Sequence, residues 1–481
     1  MCEYTYESGK KCRLKSLEGS KYCALHIPYD EGERLFGEDI KRIKEEAFLK
    51  RLKEGQTYFE GVYLYEVKIS EFRAEKPIVF KNSRIKTILF DDVTVPGITF
   101  YNSYAGRIVV FESKVGTLLV HGSNVFGLNI LRVRFSNSIY VRNSSVRYLM
   151  INSTEYVGKA EKSEEEYGER KTATGRIELS NLDNVRRIGV NVRYPLMKRI
   201  LEEHGITPSG SSERSVKATV LAFRDVRFDQ SARFKRQVRL SVRHFHGQLV
   251  LENLNVFGHA EILGGRIKSP EFVHVIVMGN FIFRRVGFYG DATWNVTVLP
   301  HLPLELNVQG FVVVEDCRFN NPRMAEIFYR IARTSWERNG DLERADEYYY
   351  KEMVSRRQSR LTARVRGIKK VLLKLEATFE WLFADLTCKY GMDWKRPILL
   401  WLAAVNVFFP LLFFLTQSVE GISGNMGFLD YEYFSVVTAT TLGYGDYHPV
   451  GVGRVIASVE ALFGMFMWAV FLTVFARKYM R

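Results

Sequence analysis

The chain has 481 residues and a formal net charge of +15, too long for one compact domain, so three or more structural units are expected. The charge alone does not choose among nucleic acid, anionic lipid and a generally basic proteome. An enzyme is set aside: no nucleophile, base and orienting acid stand together, and His204, His244, His246 and His274 are dispersed among polar neighbours.

The chain opens with a polar Met1-Cys2-Glu3-Tyr4, so no signal peptide is expected. Cys2, Cys12, Cys23 and His26 are spaced C-x9-C-x10-C-x2-H. Three of the five cysteines gathered with a histidine argue for metal over disulfides. Three sulfurs and one nitrogen suit a closed tetrahedral structural zinc with no open position for catalysis. The bland alternative is buried free cysteines beside an unrelated histidine. With Gly9-Lys10-Lys11 and Tyr22 around it, the pattern is similar to small Cys3His zinc modules, including the plant type known by its Trp-Arg-Cys motif. That resemblance implies nucleic-acid binding for some members. Here a zinc module of residues 1–30 is expected, short enough to serve as well as a seal on the cytoplasmic part, and nucleic acid is not the expected partner. Residues 31–56 are expected to be a linking helix.

From residue 78 to 156 the chain repeats. Phe80, Ile85, Phe90, Val95, Phe100, Ala105 and so on to Phe135 recur every five residues. A second set lies two residues before each, where Ser83, Ser103, Ser113 and Ser123 are interspersed with Ile78, Ile88, Val93, Ile98, Ile108 and other aliphatics. After a one-residue insertion the pattern resumes at Ile139, Val141, Ser144, Val146, Leu149 and Ile151. Spacing of two, three, two, three fits neither an α-helix nor a flat strand and suits a coil with four faces. It resembles a pentapeptide-repeat solenoid, which implies a right-handed parallel β-helix whose ends need caps. The serine and aliphatic alternation departs from that family's usual alanine or serine and leaves the tight square cross-section open. Isolated units return about thirty residues apart at Leu221 to Phe228, Leu249 to Val256, Phe281 to Phe288 and Val312 to Phe319. They predict larger or interrupted coils within a solenoid domain of residues 57–322, with mobile loops at 159–174 and 207–215.

Residues 323–393 switch to helical spacing. A hairpin is expected with Ile327, Ile331 and Trp336 before a turn at Asn339-Gly340, and Leu342, Ala345 and Tyr349 after it. An amphipathic juxtamembrane helix over 361–387 carries Val371, Leu375, Phe379, Leu382 and Leu386 as its stripe. Arg356, Arg357, Arg360, Arg364, Arg366, Lys369, Lys370 and Lys374 form a basic run with no acidic residue. Such a run next to a membrane is drawn to anionic headgroups by about 1 kcal/mol per residue. A solvated helix face is the equal alternative.

Residues 394–481 hold two apolar spans, about 397–416 with Pro410 as a bend, and about 455–476 with Glu460 as its one charge. Each has the length that a hydrocarbon core of about 30 Å requires. Trp381 and Trp394 suit the interface, and Lys395, Arg396, Arg477, Lys478 and Arg481 put both ends in the cytoplasm by the positive-inside rule. Between the spans, an apolar stretch at 431–440 is too short to cross and runs into a glycine-rich segment. A re-entrant backbone of this kind must be buried in protein or line a water-filled path.

Thr440-Thr441-Leu442-Gly443-Tyr444-Gly445-Asp446 resembles the signature of the potassium-channel superfamily. The resemblance implies a homotetramer in which carbonyls of Thr441, Leu442, Gly443 and Tyr444 and the Thr441 hydroxyl replace potassium's water. Gly443 and Gly445 would allow the alternating left-handed backbone this needs, and Asp446 closes the filter. Leu442 stands where valine or isoleucine is commoner, and Val437 where some members carry a glutamate, so an acidic partner for Asp446 is missing. Gly453-Arg454 opens the second span and Gly464 lies where the family has its gating-hinge glycine. Glu460 is read as a structural contact in preference to pairing with Arg454 or lining the wall behind the filter. The junction Leu386-Thr387-Cys388-Lys389-Tyr390-Gly391, then Lys395-Arg396-Pro397, resembles prokaryotic proteins that join pentapeptide repeats to a two-span ion channel. The expected whole is a multi-pass plasma-membrane potassium channel of prokaryotic type, with structural zinc, potassium as transported ion, lipid as partner, and gating by its N-terminal cytoplasmic part. With few residues after the second span, that part is the expected regulator, and the sequence names no ligand for it. A weakly selective cation pore, or a membrane-tethered scaffold binding nucleic acid or protein, are the rival readings.

Overall fold

The computed structural model describes residues 1–157, 176–190, 216–228, 239–289, 306–308, 310–362, 367–421 and 426–480. They form two compact units, Met1–Met324 with Thr334–Gly340, and Ala325–Arg333 with Asp341–Arg481. The loops expected at 159–174 and 207–215, and Arg364 and Arg366 of the basic run, lie outside the described residues.

In the first unit the two-three spacing of apolar residues becomes a parallel sheet whose chain pairs with itself twenty residues on. Arg84–Asp91 pairs with Tyr104–Phe111, which pairs with Asn124–Leu131, and Thr94–Tyr101 pairs with Lys114–His121. The register runs Ile78 to Ile98, Ile98 to Leu118, then Leu118 to Ile139, the last step one residue longer where the insertion falls. Every position of both apolar sets between Ile78 and Phe135 is buried. Corners at Asn82, Asp92, Asn102, Glu112, Gly122 and Arg132 have positive φ, a conformation that asparagine, aspartate and glycine adopt at low cost.

This register explains the alternation of serine with aliphatics. Residues one coil apart share a face, so Ser83, Ser103, Ser123 and Ser144 form a column. The N–H of Ser83, Ser103 and Ser123 donates to the next serine's Oγ at 3.1, 3.1 and 3.2 Å. Each hydroxyl in turn donates to the carbonyl two residues before it, at 2.7 to 2.9 Å. Ile78, Ile98 and Leu118 stack on another face, and Ile88, Ile108 and Leu128 on a third.

The sheet is closed at both ends. Residues 31–56 are two helices and not one, α1 (Tyr29–Phe36) and α2 (Asp39–Lys53), because Gly37 turns the chain at φ 56°. The ring of Phe48 on α2 lies 4.6 Å from Phe59, at the head of a column continued by Phe80 and Phe100. At the far end Val312 donates to Ser335 Oγ at 2.9 Å, and its carbonyl accepts from Trp336 Nε1 at 2.8 Å. These bonds satisfy backbone groups that an open sheet edge would leave free.

The units read as Leu249 to Val256 and Phe281 to Phe288 are not neighbours. A full strand, His259–Val277, pairs between them, with Arg239 opposite His259 and Ala260 opposite Phe281. On it Ala260 and Ile262 share the core face of Leu240, Val242, Phe281 and Phe283, and Glu261 between them lies on the other face, where Arg239, Arg243 and Ser241 hold its carboxylate.

In the second unit, α3 (Pro322–Arg338), whose two ends belong to the first, and α4 (Leu342–Leu361) flank the Asn339-Gly340 turn. Glu352 of α4 is buried and accepts from Arg330 and Arg333 of α3 at 2.9 and 2.8 Å. The amphipathic helix expected from residue 361 starts at Ile368, because α4 runs to Leu361 and Gly367 turns the chain at φ 70°. This α5 (Ile368–Glu380) continues as a π-helical turn, Trp381–Leu386, with its apolar stripe exposed. Two helices are long and apolar enough to cross a membrane, α6 (Lys395–Thr416) and, after α7 (Phe428–Ala439), α8 (Gly453–Tyr479). A π-helical turn, Ala404–Phe408, precedes Pro410 in α6 and absorbs its missing N–H.

Candidate functional site

Helix α7 is held between the two long helices by a cluster of Tyr431, Phe434, Phe409, Phe413, Val419 and Ala457. Its N-terminus is fixed by Asp430, which accepts from the Gly427 N–H at 2.7 Å. Two contacts one helical turn apart join α7 to α8. Gly464 packs on the Ala439 carbonyl so closely that a Cβ there would stand 2.2 Å from the oxygen. One turn earlier on both helices, Glu460 meets Ser435. Gly464 thus sits in unbroken helix, against the end of α7.

Beyond Ala439 the chain leaves the helix with alternating handedness. Thr441, Gly443 and Gly445 have φ of 60°, 62° and 82°. A β-branched residue with positive φ is an outlier of the kind that collects at functional sites. Leu442 and Tyr444, between them, are exposed. The segment is anchored just past Gly445: Asp446 accepts from Tyr433 at 2.9 Å, Tyr447 donates to Asp430 at 3.0 Å, and residues 447–449 pair antiparallel with 419–421. Asp446 therefore has a phenol partner from α7, whereas Val437, one turn further along, is buried. Tyr433 was missed in the sequence, where its one signal is a spacing of one helical turn before Val437.

Glu460 has no exposed surface. Its Oε1 contacts the Ser435 hydroxyl, its Oε2 has no hydrogen-bond partner, and it makes no ion pair with Arg454 among the described residues.

At the other end of α8, Arg477 donates to the Tyr390 carbonyl at 3.3 Å and lies 3.8 Å from Asp346 of α4. Nearby, Arg357 of α4 pairs with Asp385 at 2.7 Å and donates to the Tyr390 hydroxyl at 2.9 Å, while Tyr350 donates to Asp385 at 3.1 Å. Phe383 meets Phe466 of α8 edge-on, with centroids 5.6 Å apart. Helix α4 and the π-helical turn that follows α5 thus bear directly on the second span.

A family model described as ion channel matches residues 398–481. Protein LctB of Geobacillus stearothermophilus is 33% identical over 119 residues, covering 22% of this chain and 89% of that protein. The chain belongs to the ion channel family. No solved structure matches it. With its two long apolar helices, this channel is a membrane protein.

Outside the matched segment, the channel gathers Cys2, Cys12, Cys23 and His26 with their ligand atoms within 4.8 Å of one another, all buried. The Cys2 and Cys23 sulfurs lie 3.6 and 3.3 Å from His26 Nδ1. A tetrahedral zinc with bonds of about 2.3 Å to sulfur and about 2.0 Å to nitrogen needs a sulfur-to-nitrogen edge of about 3.5 Å, so the cluster fits such an ion. His26 Nε2 lies 3.0 Å from the Glu60 carbonyl and donates to it, which leaves Nδ1 as the free lone pair. Burial pushes the His26 imidazole down to about 4, keeping it neutral as a ligand must be. Burial also pushes the Cys23 thiol up to about 12, so thiolates here need a cation to balance them. The fully buried Lys44 donates to the Ala24 and Ile27 carbonyls at 3.1 and 2.6 Å and fixes the loop that carries Cys23 and His26.

Proposed function

We propose that the chain is one subunit of a homotetrameric potassium-selective channel whose filter is Thr441, Leu442, Gly443, Tyr444, Gly445 and Asp446. The carrying observation is the positive φ at every second residue, Thr441, Gly443 and Gly445, directly after a short helix between two spans. Alternating handedness is what a backbone needs to offer successive carbonyls to one axis, where they replace the hydration shell of the ion. Helix α7 ends at this segment, so the negative end of its dipole favours a cation there. A single subunit leaves Leu442 and Tyr444 exposed, as expected of a segment completed by three more copies.

The twenty-residue register and the serine column support reading the sheet domain as a pentapeptide-like right-handed β-helix. The four-residue cluster supports a structural zinc held by Cys2, Cys12, Cys23 and His26, closing the head of that domain. Both chain ends are cytoplasmic in this reading, and the exposed stripe of α5 with Lys369, Lys370 and Lys374 rests on lipid with anionic headgroups. Gating by the cytoplasmic part reaches the pore where Asp346 and the Tyr390 carbonyl hold Arg477. Reconstitution of the full chain in liposomes tests the core of this reading: potassium flux that Gly443→Asp abolishes is expected, and flux indifferent to that change would contradict it.

A further inference from the structure

The joint between Val405, Ser435 and Glu460 ties the two spans to α7, and its protons can be counted. Ser435 Oγ lies 2.7 Å from the Val405 carbonyl of α6 and also contacts Oε1 of Glu460 on α8. A serine hydroxyl has one proton and two lone pairs, and a carbonyl can only accept. If Ser435 gave its proton to an ionised Glu460, its oxygen would face the Val405 carbonyl lone pair to lone pair at hydrogen-bond distance. Oε2 would then be a buried half-charge with no donor among the described residues. Both faults vanish if the proton between Ser435 and Glu460 comes from the acid. Ser435 then donates to Val405, Glu460 donates to Ser435, and the remaining carbonyl-type oxygen is the kind of buried group most readily left under-satisfied.

All three residues are already sealed within one chain: Val405, Ser435 and Glu460 each have 0% exposure. Neighbouring subunits, lipid and bulk water therefore do not supply the missing partner. The next turn of the same two helices brings Gly464 onto Ala439, two residues before Thr441, so the joint fixes the helix that aims the filter segment.

We propose that Glu460 is carried in the folded channel as an un-ionised carboxylic acid, donating to Ser435 so that Ser435 can donate to Val405, and that this relay makes Glu460 a positioning residue for the ion path. The positioning half rests on the reading of Thr441 to Asp446 as the filter; the protonation half stands without it.

The test uses the full chain in lipid. An infrared difference spectrum, wild type minus Glu460→Gln at neutral pH, is expected to contain the carbonyl stretch of an un-ionised carboxyl group, displaced when Ser435→Ala removes its partner. Carboxylate bands alone would overturn the proposal. In flux assays Glu460→Gln, an amide that can still donate to Ser435, is expected to keep wild-type selectivity. Glu460→Leu is expected to lose selective flux by about tenfold or more, the scale of a buried polar group left without its partner. Glu460→Gln failing to fold, or proving as damaging as Glu460→Leu, would count against the neutral acid. Should the wild type conduct nothing, the filter reading fails, and the infrared band still decides the protonation state.

Discussion

Arg477, in the last turn of the second span, lies 3.8 Å from Asp346 of helix α4 and donates to the Tyr390 carbonyl at 3.3 Å. Both charged side chains are about a third exposed, at 32% and 35%, so the pair is worth at most about 1 kcal/mol. That is enough for a gate. Asp346→Asn is expected to change the ratio of open to closed channel by up to about fivefold per subunit with no change in ion selectivity. Single-channel recording measures both, and an Asp346→Arg with Arg477→Asp exchange should restore the ratio.

The neighbouring pair of Arg357 and Asp385 behaves differently because its side chains are only 11% and 10% exposed. Asp385→Ala would strand a buried guanidinium and orphan the Tyr350 hydroxyl. A loss of about 3–5 kcal/mol is expected, read as a lower melting temperature of the purified channel.

The serine column gives a test of the sheet domain. Ser103→Ala removes the acceptor of the Ser83 N–H and should cost about 1–3 kcal/mol. Ser136→Ala, at an exposed position of the same domain, is the comparison expected to change little. Denaturant unfolding of the two variants decides between them.

Zinc removal has a local signature. One zinc per chain is expected by elemental analysis, falling to none in Cys12→Ser. Binding free energy of such a site is folding free energy, about 10–16 kcal/mol for small zinc modules, so chelation should unfold the first thirty residues. The Tyr63 N–H, which donates to the Leu25 carbonyl at 2.8 Å, should lose its protection from hydrogen exchange while amides at Ile108 and Leu128 keep theirs.

Much of this was legible in the sequence, unevenly and for physical reasons. The five-residue spacing is a direct print of burial, so the inward positions from Ile78 to Phe135 could be read singly. The meaning of Ser83, Ser103 and Ser123 could not, because it depends on which residues share a face once the coil length is fixed. The strand His259–Val277 escapes notice because Gly264 and Gly265, both at positive φ, interrupt the alternation that Ala260 and Ile262 begin. In the matched channel segment, glycine spacing between two apolar runs marked residues 441–446, where Thr441, Gly443 and Gly445 have positive φ. The partners Tyr433 for Asp446 and Ser435 for Glu460 were invisible because both depend on how helices pack, which composition does not record. The break between α1 and α2 rests on one glycine at positive φ, a weak signal inside an otherwise helical stretch.

Close packing at Gly464 separates two roles for that residue. Gly464→Ala would press a methyl onto the Ala439 carbonyl, where 2.2 Å leaves no room, and so should push the second span away from the segment Thr441 to Asp446. Loss of selectivity together with reduced conductance is expected. A variant with normal selectivity and altered open probability alone would assign Gly464 to hinge bending only.

Selectivity itself is the most direct measurement. With the full chain in a planar bilayer, potassium on one side and sodium on the other, the reversal potential of the current should lie far toward the potassium equilibrium value and collapse toward zero in Gly443→Ala. A wild-type reversal potential near zero, or one that Gly443→Ala leaves in place, would contradict a potassium filter at Thr441 to Asp446.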